Sequence, residues 1–142
     1  MVKKRSMLRV IFDSNFFFLP GKFNLDPFEE ISRITGRKVE PIVLSVSLKE
    51  IDRLARYGSP KERSDASLAL KFARLCRVME VEKGEGESVD DVILRVASED
   101  RTPVATNDGV LRKKLRKRGI PVIYLREKSK LEVEVLYRGL TS

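Results

Sequence analysis

Residues 8–15 read LRVIFDSN, a run of mainly apolar residues that ends in three polar ones. The apolar residues between Leu8 and Phe12 predict a buried strand, because short apolar runs bounded by turn-forming residues are typical of strands in a core. Asp13 follows this strand directly. Because Asp is a common turn former, Asp13 alone is either a turn residue or the first member of a functional site.

The remaining sequence alternates between strand and helix patterns, with loops at Pro20-Gly21 and Asp26-Pro27. Alternating apolar residues at 131, 133 and 135 predict a sixth strand, hairpinned onto the fifth at a sheet edge. The alternation of strands with helices along the chain predicts an α/β fold with a mainly parallel sheet. Ligands of such sheets bind beyond the carboxyl ends of the strands. We predict further strands over residues 41–44, 78–81, 104–106 and 122–125, and helices over residues 28–35, 48–55, 64–75, 89–97 and 110–118.

Composition limits the classes of function. The chain has 142 residues, and we expect a single domain over residues 1–142. A net charge of +8 favours a polyanionic partner such as nucleic acid, although many basic proteins carry such charge only for solubility. Cys76, the single cysteine, excludes a disulfide framework and a thiolate zinc site, so we expect it to fill the core. No apolar window reaches membrane-spanning length, and we expect a cytoplasmic protein.

Acidic residues near strand or helix ends are the candidate site. Glu50 and Asp52 border the apolar face of their helix, whose N-cap we assign to Ser47, and a solvated flank is the default interpretation of either acid. Ser88-Val89-Asp90-Asp91 matches a capping box, which points Asp91 back to the cap and leaves Asp90 at the edge of the apolar face. The candidates are Asp13, Glu50, Asp90 and Asp108, the last of which also fits an ordinary turn and N-cap.

The chain contains no histidine, which excludes a serine triad and disfavours ribonucleases that use a histidine acid and base. The glycine-rich phosphate-binding motifs G-x-x-x-x-G-K-[ST] and G-x-G-x-x-G are also absent. A chain without histidine favours a carboxylate cluster around Mg²⁺ or Mn²⁺ as its catalytic centre.

Over nearly its whole length the chain resembles the PIN-domain nucleases. The resemblance rests on IFDSN at residues 11–15, LKEI at 48–51, DDVI at 90–93 and VATND at 104–108. It implies an α/β/α sandwich with strand order 3-2-1-4-5 and RNA as substrate, and homodimers are common in the family. It further implies that Mg²⁺ or Mn²⁺ is held by Asp13, Glu50, Asp90 and Asp108, with Asn15, Asp91 and Thr106 in support.

The chain looks most like the branch of small-subunit ribosomal RNA processing endonucleases. The features behind this are the doubled Asp90-Asp91, a basic helix after Asp108 and a closing strand. The VapC toxin branch shares the four acids, so a toxin with an antitoxin partner is an alternative. A catalytically inactive RNA-binding scaffold in a ribosome-assembly complex is another.

Basic and aromatic segments have two interpretations each. Lys3, Lys4 and Arg5 could provide a second RNA contact. Phe16 to Phe18 are bulkier than is usual after the first Asp, and we expect them to pack in the core rather than stack on a base. The helix after Asp108 is either a solvated amphipathic face or a phosphate-binding surface formed by Arg112, Lys113, Lys114, Arg116 and Lys117.

Overall fold

The computed structural model describes residues 7–127 and 130–134, which form one six-stranded sheet with helices on both faces. Lys3, Lys4, Arg5 and Val135, on which the sequence analysis also made predictions, lie outside these ranges. The elements in chain order are β1 (Met7–Phe12), a 3₁₀ helix (Ser14–Phe18), α1 (Leu19–Phe23), α2 (Pro27–Thr35), β2 (Lys38–Leu44), α3 (Ser45–Tyr57), α4 (Pro60–Ala73), β3 (Arg77–Met79), α5 (Val89–Asp100), β4 (Val104–Ala105), α6 (Gly109–Lys117), β5 (Val122–Glu127) and β6 (Lys130–Glu134).

The sheet has the order β3-β2-β1-β4-β5-β6. The first five strands are parallel, and β6 pairs with β5 in the antiparallel direction. The predicted order 3-2-1-4-5 and the predicted hairpin of the fifth and sixth strands are therefore confirmed. This order places β1 and β4 side by side, so the residues after Phe12 and after Ala105 meet at one edge of the sheet.

Alternating residues of the strands divide the core into two layers. Val10 and Phe12 of β1 pack with residues of α2, α3 and α4, whereas Ile11 packs on the other face with residues of α5 and α6. In β4, Ala105 packs in the same layer as Val10 and Phe12, and Val104 packs in the same layer as Ile11. The three-layer sandwich follows from this two-residue period, because successive side chains of a strand point to opposite faces.

An aromatic cluster fixes the segment after β1. The Phe12 ring lies 5.7 Å from that of Phe16, 5.6 Å from that of Phe17 and 5.3 Å from that of Phe28, measured between ring centroids. Phe16 and Phe17 are fully buried, so core packing is confirmed for both. Phe18 is only partly buried. Cys76 is also buried, as predicted.

Several predicted boundaries are wrong. Ser47 is not an N-cap: β2 runs directly into α3, whose cap residue is Leu44 without a capping side chain, and Ser47 lies buried in the first turn. Helix α4 begins at Pro60, earlier than predicted, because Ser59 and Glu62 form a complete capping box.

The remaining differences concern prolines and the third strand. Pro20 lies in the first turn of α1, where a missing N–H costs no hydrogen bond, so the predicted loop is a short helix. Pro41 lies inside β2, which begins three residues earlier than predicted; β3 pairs only with the part of β2 that follows Pro41. Strand β3 begins one residue and ends two residues earlier than predicted. Within the described ranges, no helix has the length and hydrophobicity needed to cross a bilayer.

Candidate active site

Asp13 forms the centre of the site at the carboxyl end of β1. Its side chain is 4% exposed and accepts a hydrogen bond of 2.8 Å from the Ser14 backbone N–H. Its Oδ2 atom accepts bonds from the Thr106 hydroxyl at 2.7 Å and from the Asn15 amide at 3.2 Å. Three donors therefore orient this carboxylate and favour its charged form, although it lies in the core.

The loop after β4 carries the second acid. Thr106 is fully buried, and its hydroxyl accepts a bond of 3.1 Å from the Asp108 backbone N–H while it donates to Asp13. Asp108 is the N-cap of α6 and accepts from the backbone N–H groups of Val110 and Leu111 at 2.9 Å and 3.2 Å. Its predicted capping role is confirmed, and the same residue lies beside the other acids.

Asn107 connects the segment after β1, the loop after β4 and strand β5. Its backbone N–H donates to the Asn15 side-chain oxygen at 3.3 Å, and its own side-chain oxygen accepts from the Leu125 N–H at 2.8 Å. The loop that carries Asp108 is thereby fixed to the segment after β1 and to β5.

Glu50 reaches the site from α3. Its Oε1 atom accepts a hydrogen bond of 3.1 Å from the Ser14 hydroxyl, which links α3 to the residue next to Asp13. Asp52, which the sequence could not distinguish from Glu50 as a border residue, forms an ion pair of 2.9 Å with Arg56 on the helix surface. The structure thus brings Glu50 to the site and leaves Asp52 as a solvated flank.

Asp90 and Asp91 have separate positions at the start of α5. The Ser88 backbone N–H donates to the Asp91 side chain at 2.9 Å, and the Asp91 N–H donates to the Ser88 hydroxyl at 3.1 Å, so the predicted capping box is confirmed. Asp90 lies near Asp108 and interacts electrostatically with Asp13 and Glu50. The four acids thus converge from four different elements.

This convergence makes ionisation of the acids unfavourable. Burial and, to a smaller degree, the nearby charges raise the pKa of Asp90 to about 6. Burial also raises the pKa of Asp13 despite its three donors, and raises that of Glu50 despite the Ser14 hydroxyl and the cation of Lys83. Glu50 as a whole is exposed to solvent, so the effect of burial on its pKa is confined to the carboxyl group. By contrast, the Ser88 backbone and hydroxyl lower the pKa of Asp91.

The donor chemistry suits a hard divalent cation. Carboxylate oxygens are the preferred ligands of Mg²⁺ and Mn²⁺, and a cation among these acids would relieve the repulsion that adds to burial in raising their pKa values. As arranged, however, no three acidic side chains in the described part of the chain converge closely enough to form a ready metal site. The residues fit the ion in kind, and Mg²⁺ is commonly held by one or two carboxylates together with water.

Two surfaces adjoin the acids. A cleft of about 1030 Å³ begins at Ser14 and Glu50 and follows α3. On another side, α6 exposes Lys113, Lys114 and Lys117, and Lys114 lies within electrostatic reach of Asp91. Arg112 is only partly exposed, with its guanidinium group 4.1 Å from the centroid of the Tyr124 ring, and Arg116 is also partly buried.

Sequence reasoning missed Ser14, Asn107 and Lys83 as residues of the site. Ser14 and Asn107 lie inside the motifs that carried the resemblance, but only their contacts with Glu50 and Leu125 reveal what they hold. Lys83 lies in a polar connection after β3, where no local pattern indicates proximity to an acid on α3.

Comparison with known proteins identifies the family of the chain. Residues 10–128 match the family model described as a PIN-like domain. The chain is 30% identical over 128 residues to ribonuclease VapC4 of Methanocaldococcus jannaschii, covering 89% of this chain and 97% of that protein. It is 35% identical over 95 residues to ribonuclease VapC9 of Archaeoglobus fulgidus, covering 66% of this chain and 67% of that protein.

Solved structures give the same fold. The PIN domain endonuclease Utp24 superposes with a TM-score of 0.73 and 27% identity, covering 90% of this chain and 92% of that one. A domain of a functionally unknown protein from Methanocaldococcus jannaschii superposes with a TM-score of 0.61 and 16% identity, covering 92% and 99%. The second likeness concerns the fold alone.

Proposed function

The chain belongs to the PIN-like domain family, and from that premise we propose that it is a divalent-metal-dependent endoribonuclease. The observation that carries the proposal is the position of Asp90, which interacts with Asp13, Glu50 and Asp108 although the four acids come from four elements. Acids this close repel one another, and a protein retains such an arrangement when a cation joins it. PIN nucleases generally use divalent metal ions.

In this proposal Asp13, Glu50, Asp90 and Asp108 hold Mg²⁺ or Mn²⁺. The bound ion would supply an activated water and stabilise charge on the leaving 3′-oxygen. Thr106 and Asn15 orient the Asp13 carboxylate through their hydrogen bonds, and Asp91 supports the site by capping α5. Cleavage should leave a 5′-phosphate and a 3′-hydroxyl.

A matched pair of substitutions on α3 tests this proposal. Glu50→Gln removes a proposed ligand, whereas Asp52→Asn removes an acid two residues away that pairs with Arg56 on the surface. With end-labelled single-stranded RNA and Mn²⁺, we expect cleavage by the wild type and by Asp52→Asn, and at least tenfold less by Glu50→Gln. EDTA should abolish all of it. Cleavage that resists EDTA, or no cleavage with any metal, would contradict the mechanism.

For the substrate we propose ribosomal RNA, on the basis of the doubled Asp90-Asp91, the basic helix α6 and the closing strand β6. The proposed partners are RNA, a second copy of the chain and a ribosome-assembly protein. Assays of the purified protein on ribosomal RNA precursors and on transfer RNA should show a defined cut only in the precursors.

Two alternative functions each have one observation in their favour. A VapC-type toxin, with an antitoxin as partner, is favoured by the two relatives named VapC ribonucleases. It predicts growth arrest on expression that Glu50→Gln relieves. An inactive RNA-binding scaffold is favoured by the lack of a ready three-acid metal group among the described residues. It predicts RNA binding without cleavage in either metal.

A further inference from the structure

The cleft beside α3 is continuous with the carboxylate cluster. It is lined on one side by Glu50, Arg53, Leu54 and Tyr57, which are spaced i, i+3, i+4 and i+7 and therefore lie on one face of α3. From Glu50 to Tyr57 the helix rises about 10 Å. We call this feature the α3 cleft; a ligand in it extends from the proposed metal ligands to the C-terminal end of α3.

The charged residues of the α3 cleft differ between its two ends. Lys49, Arg53 and Lys83 line it near Glu50, and Lys83 lies within electrostatic reach of that acid. Glu82 lines the same region, and Glu62 lies at the other end, where its carboxylate accepts a bond of 2.8 Å from the Ser59 backbone N–H as part of a capping box. Lys49, Arg53 and Lys83 can therefore contact phosphates beside the proposed reaction centre, while the three glutamates of the lining make the cleft neutral overall.

An exposed aromatic side chain occupies the far end. Tyr57 is 79% exposed, and Leu54, which precedes it by three residues on the same face, is 37% exposed. A ring that leaves most of its surface in solvent contributes little to the core. Grooves that bind single-stranded nucleic acid combine cations along the backbone path with aromatic rings on which bases stack. The α3 cleft has both features.

We propose that the α3 cleft binds the unpaired RNA strand on one side of the scissile phosphate, with its phosphates beside Arg53 and Lys83 and one base stacked on Tyr57. The proposal rests on the proposed ribonuclease function and extends it to substrate class: RNA must be single-stranded and must carry a base at this position. The three cations that line the cleft beside the acids can pair with phosphates, which an apolar protein segment does not carry.

The test measures binding of a fluorescein-labelled ten-nucleotide oligoadenosine by anisotropy in EDTA, where the proposed function allows no cleavage. Tyr57→Ala should weaken binding about 5- to 150-fold, the range found when an aromatic platform loses one stacked base. Tyr57→Trp should bind at least as tightly as the wild type. Leu75→Ala, at a side chain that is 68% exposed and does not line the cleft, should bind normally.

Two further measurements identify stacking as the cause. An abasic strand of the same length should bind equally to the wild type and to Tyr57→Ala. The chain contains three tyrosines and no tryptophan, so its fluorescence comes from tyrosine. A base stacked on Tyr57 should quench part of this emission when oligoadenosine binds. Tyr57→Phe should lose that part of the quenching and keep the affinity.

The outcomes separate this inference from the proposed function. Normal RNA affinity of Tyr57→Ala, with metal-dependent cleavage intact, would overturn the cleft as an RNA site and leave the ribonuclease proposal standing. Full RNA affinity of Tyr57→Leu would overturn stacking on an aromatic ring as the cause of binding. If the wild type bound no RNA in EDTA but cleaved RNA in Mn²⁺, the α3 cleft proposal would fall and the ribonuclease proposal would stand.

Discussion

The Thr106 hydroxyl donates a 2.7 Å hydrogen bond to Oδ2 of Asp13, and this contact joins the loop after β4 to the end of β1. Thr106→Val keeps the shape of the side chain but removes this bond and the acceptor of the Asp108 N–H. We expect the pKa of Asp13 to rise further and cleavage to fall at least tenfold. Unfolding in urea should show a loss of about 1–3 kcal/mol, typical of buried groups left without a partner.

Thr35→Val is the matched control for this substitution. Thr35 is also buried and donates a bond of 2.7 Å, to the Ile31 carbonyl, but it lies at the end of α2 away from the acids. It should lower stability without lowering cleavage per folded molecule. Equal catalytic losses in the two variants would contradict a specific role for Thr106.

The acids predict an unusual pH dependence of stability without metal. Folding raises the pKa values of Asp13, Glu50 and Asp90. Between about pH 4 and pH 6 the folded chain therefore binds more protons at these three acids than the unfolded chain does. The free energy of unfolding should therefore be highest below this window and fall as the pH rises through it. The Asp90 pKa rises from 3.8 to about 6, which after discounting for solvent screening corresponds to about 1 kcal/mol.

Urea unfolding in EDTA at several pH values between 4.5 and 7.5 measures this effect. Asp90→Asn should flatten the profile, and Asp52→Asn, which removes an exposed acid, should leave the wild-type slope. The pKa values of Asp91 and Glu87 are lowered in the folded state. These two acids therefore make the free energy of unfolding rise with pH, but they do so below this pH window. A stability that increases from pH 4.5 to 6.5 would contradict the raised pKa values of the three acids.

The basic helix α6 predicts the salt dependence of RNA binding. Lys113, Lys114 and Lys117 are exposed beside the acids, and replacing them with Ala should weaken binding to all RNA sequences. For single-stranded RNA, each lost phosphate contact reduces the slope of the logarithm of the binding constant against the logarithm of the salt concentration by about 0.7. The loss of three contacts should therefore reduce this slope by about 2. Anisotropy titrations at several salt concentrations measure the slope.

A control triple variant loses the same charge elsewhere. Lys38 begins β2 at the opposite end of the parallel strands, and Lys61 and Lys71 lie on α4; all three are exposed. Ala at these positions should reduce affinity slightly through net charge but keep the slope. Equal slopes for the two triple variants would assign α6 to an ordinary solvated face.

Local patterns were sufficient for elements whose signal lies within a few residues. The apolar run before Asp13 predicted β1, and Ser88 with Asp91 predicted the start of α5, because a strand period and a capping box are short-range features. Strand order followed from the family resemblance. The start of α3 was missed because β2 continues into it at Leu44 without a turn residue to mark the change.

Site membership depended on tertiary contacts that no spacing reveals. Glu50 and Asp52 border the same apolar face, and only the Ser14 hydroxyl, far away in sequence, distinguishes them. The same holds for Lys83, which lies within electrostatic reach of Glu50 although it belongs to the connection after β3 and Glu50 belongs to α3. Sequence could therefore propose the acids, while the structure was needed to find what surrounds them.

The neighbouring acids at the start of α5 separate catalysis from folding. Asp90→Asn removes a member of the repelling cluster, so in EDTA the protein should be as stable as the wild type or more so, and cleavage in Mn²⁺ should be lost. Mn²⁺ should raise the melting temperature of the wild type but not of this variant, since ligands stabilise only the state that binds them.

Asp91→Asn should have the opposite effect. It weakens the capping box with Ser88, so the melting temperature should fall by about 2–5 °C, as expected for a lost cap in a domain of this size. Cleavage and Mn²⁺ stabilisation should be largely kept, because the Asp91 side chain is directed to the Ser88 N–H. Thermal melts in EDTA and in Mn²⁺, run beside cleavage assays, give both readouts. If Asp91→Asn were the inactive variant and Asp90→Asn the active one, the ligand would be Asp91 and α5 would present a different face to the metal.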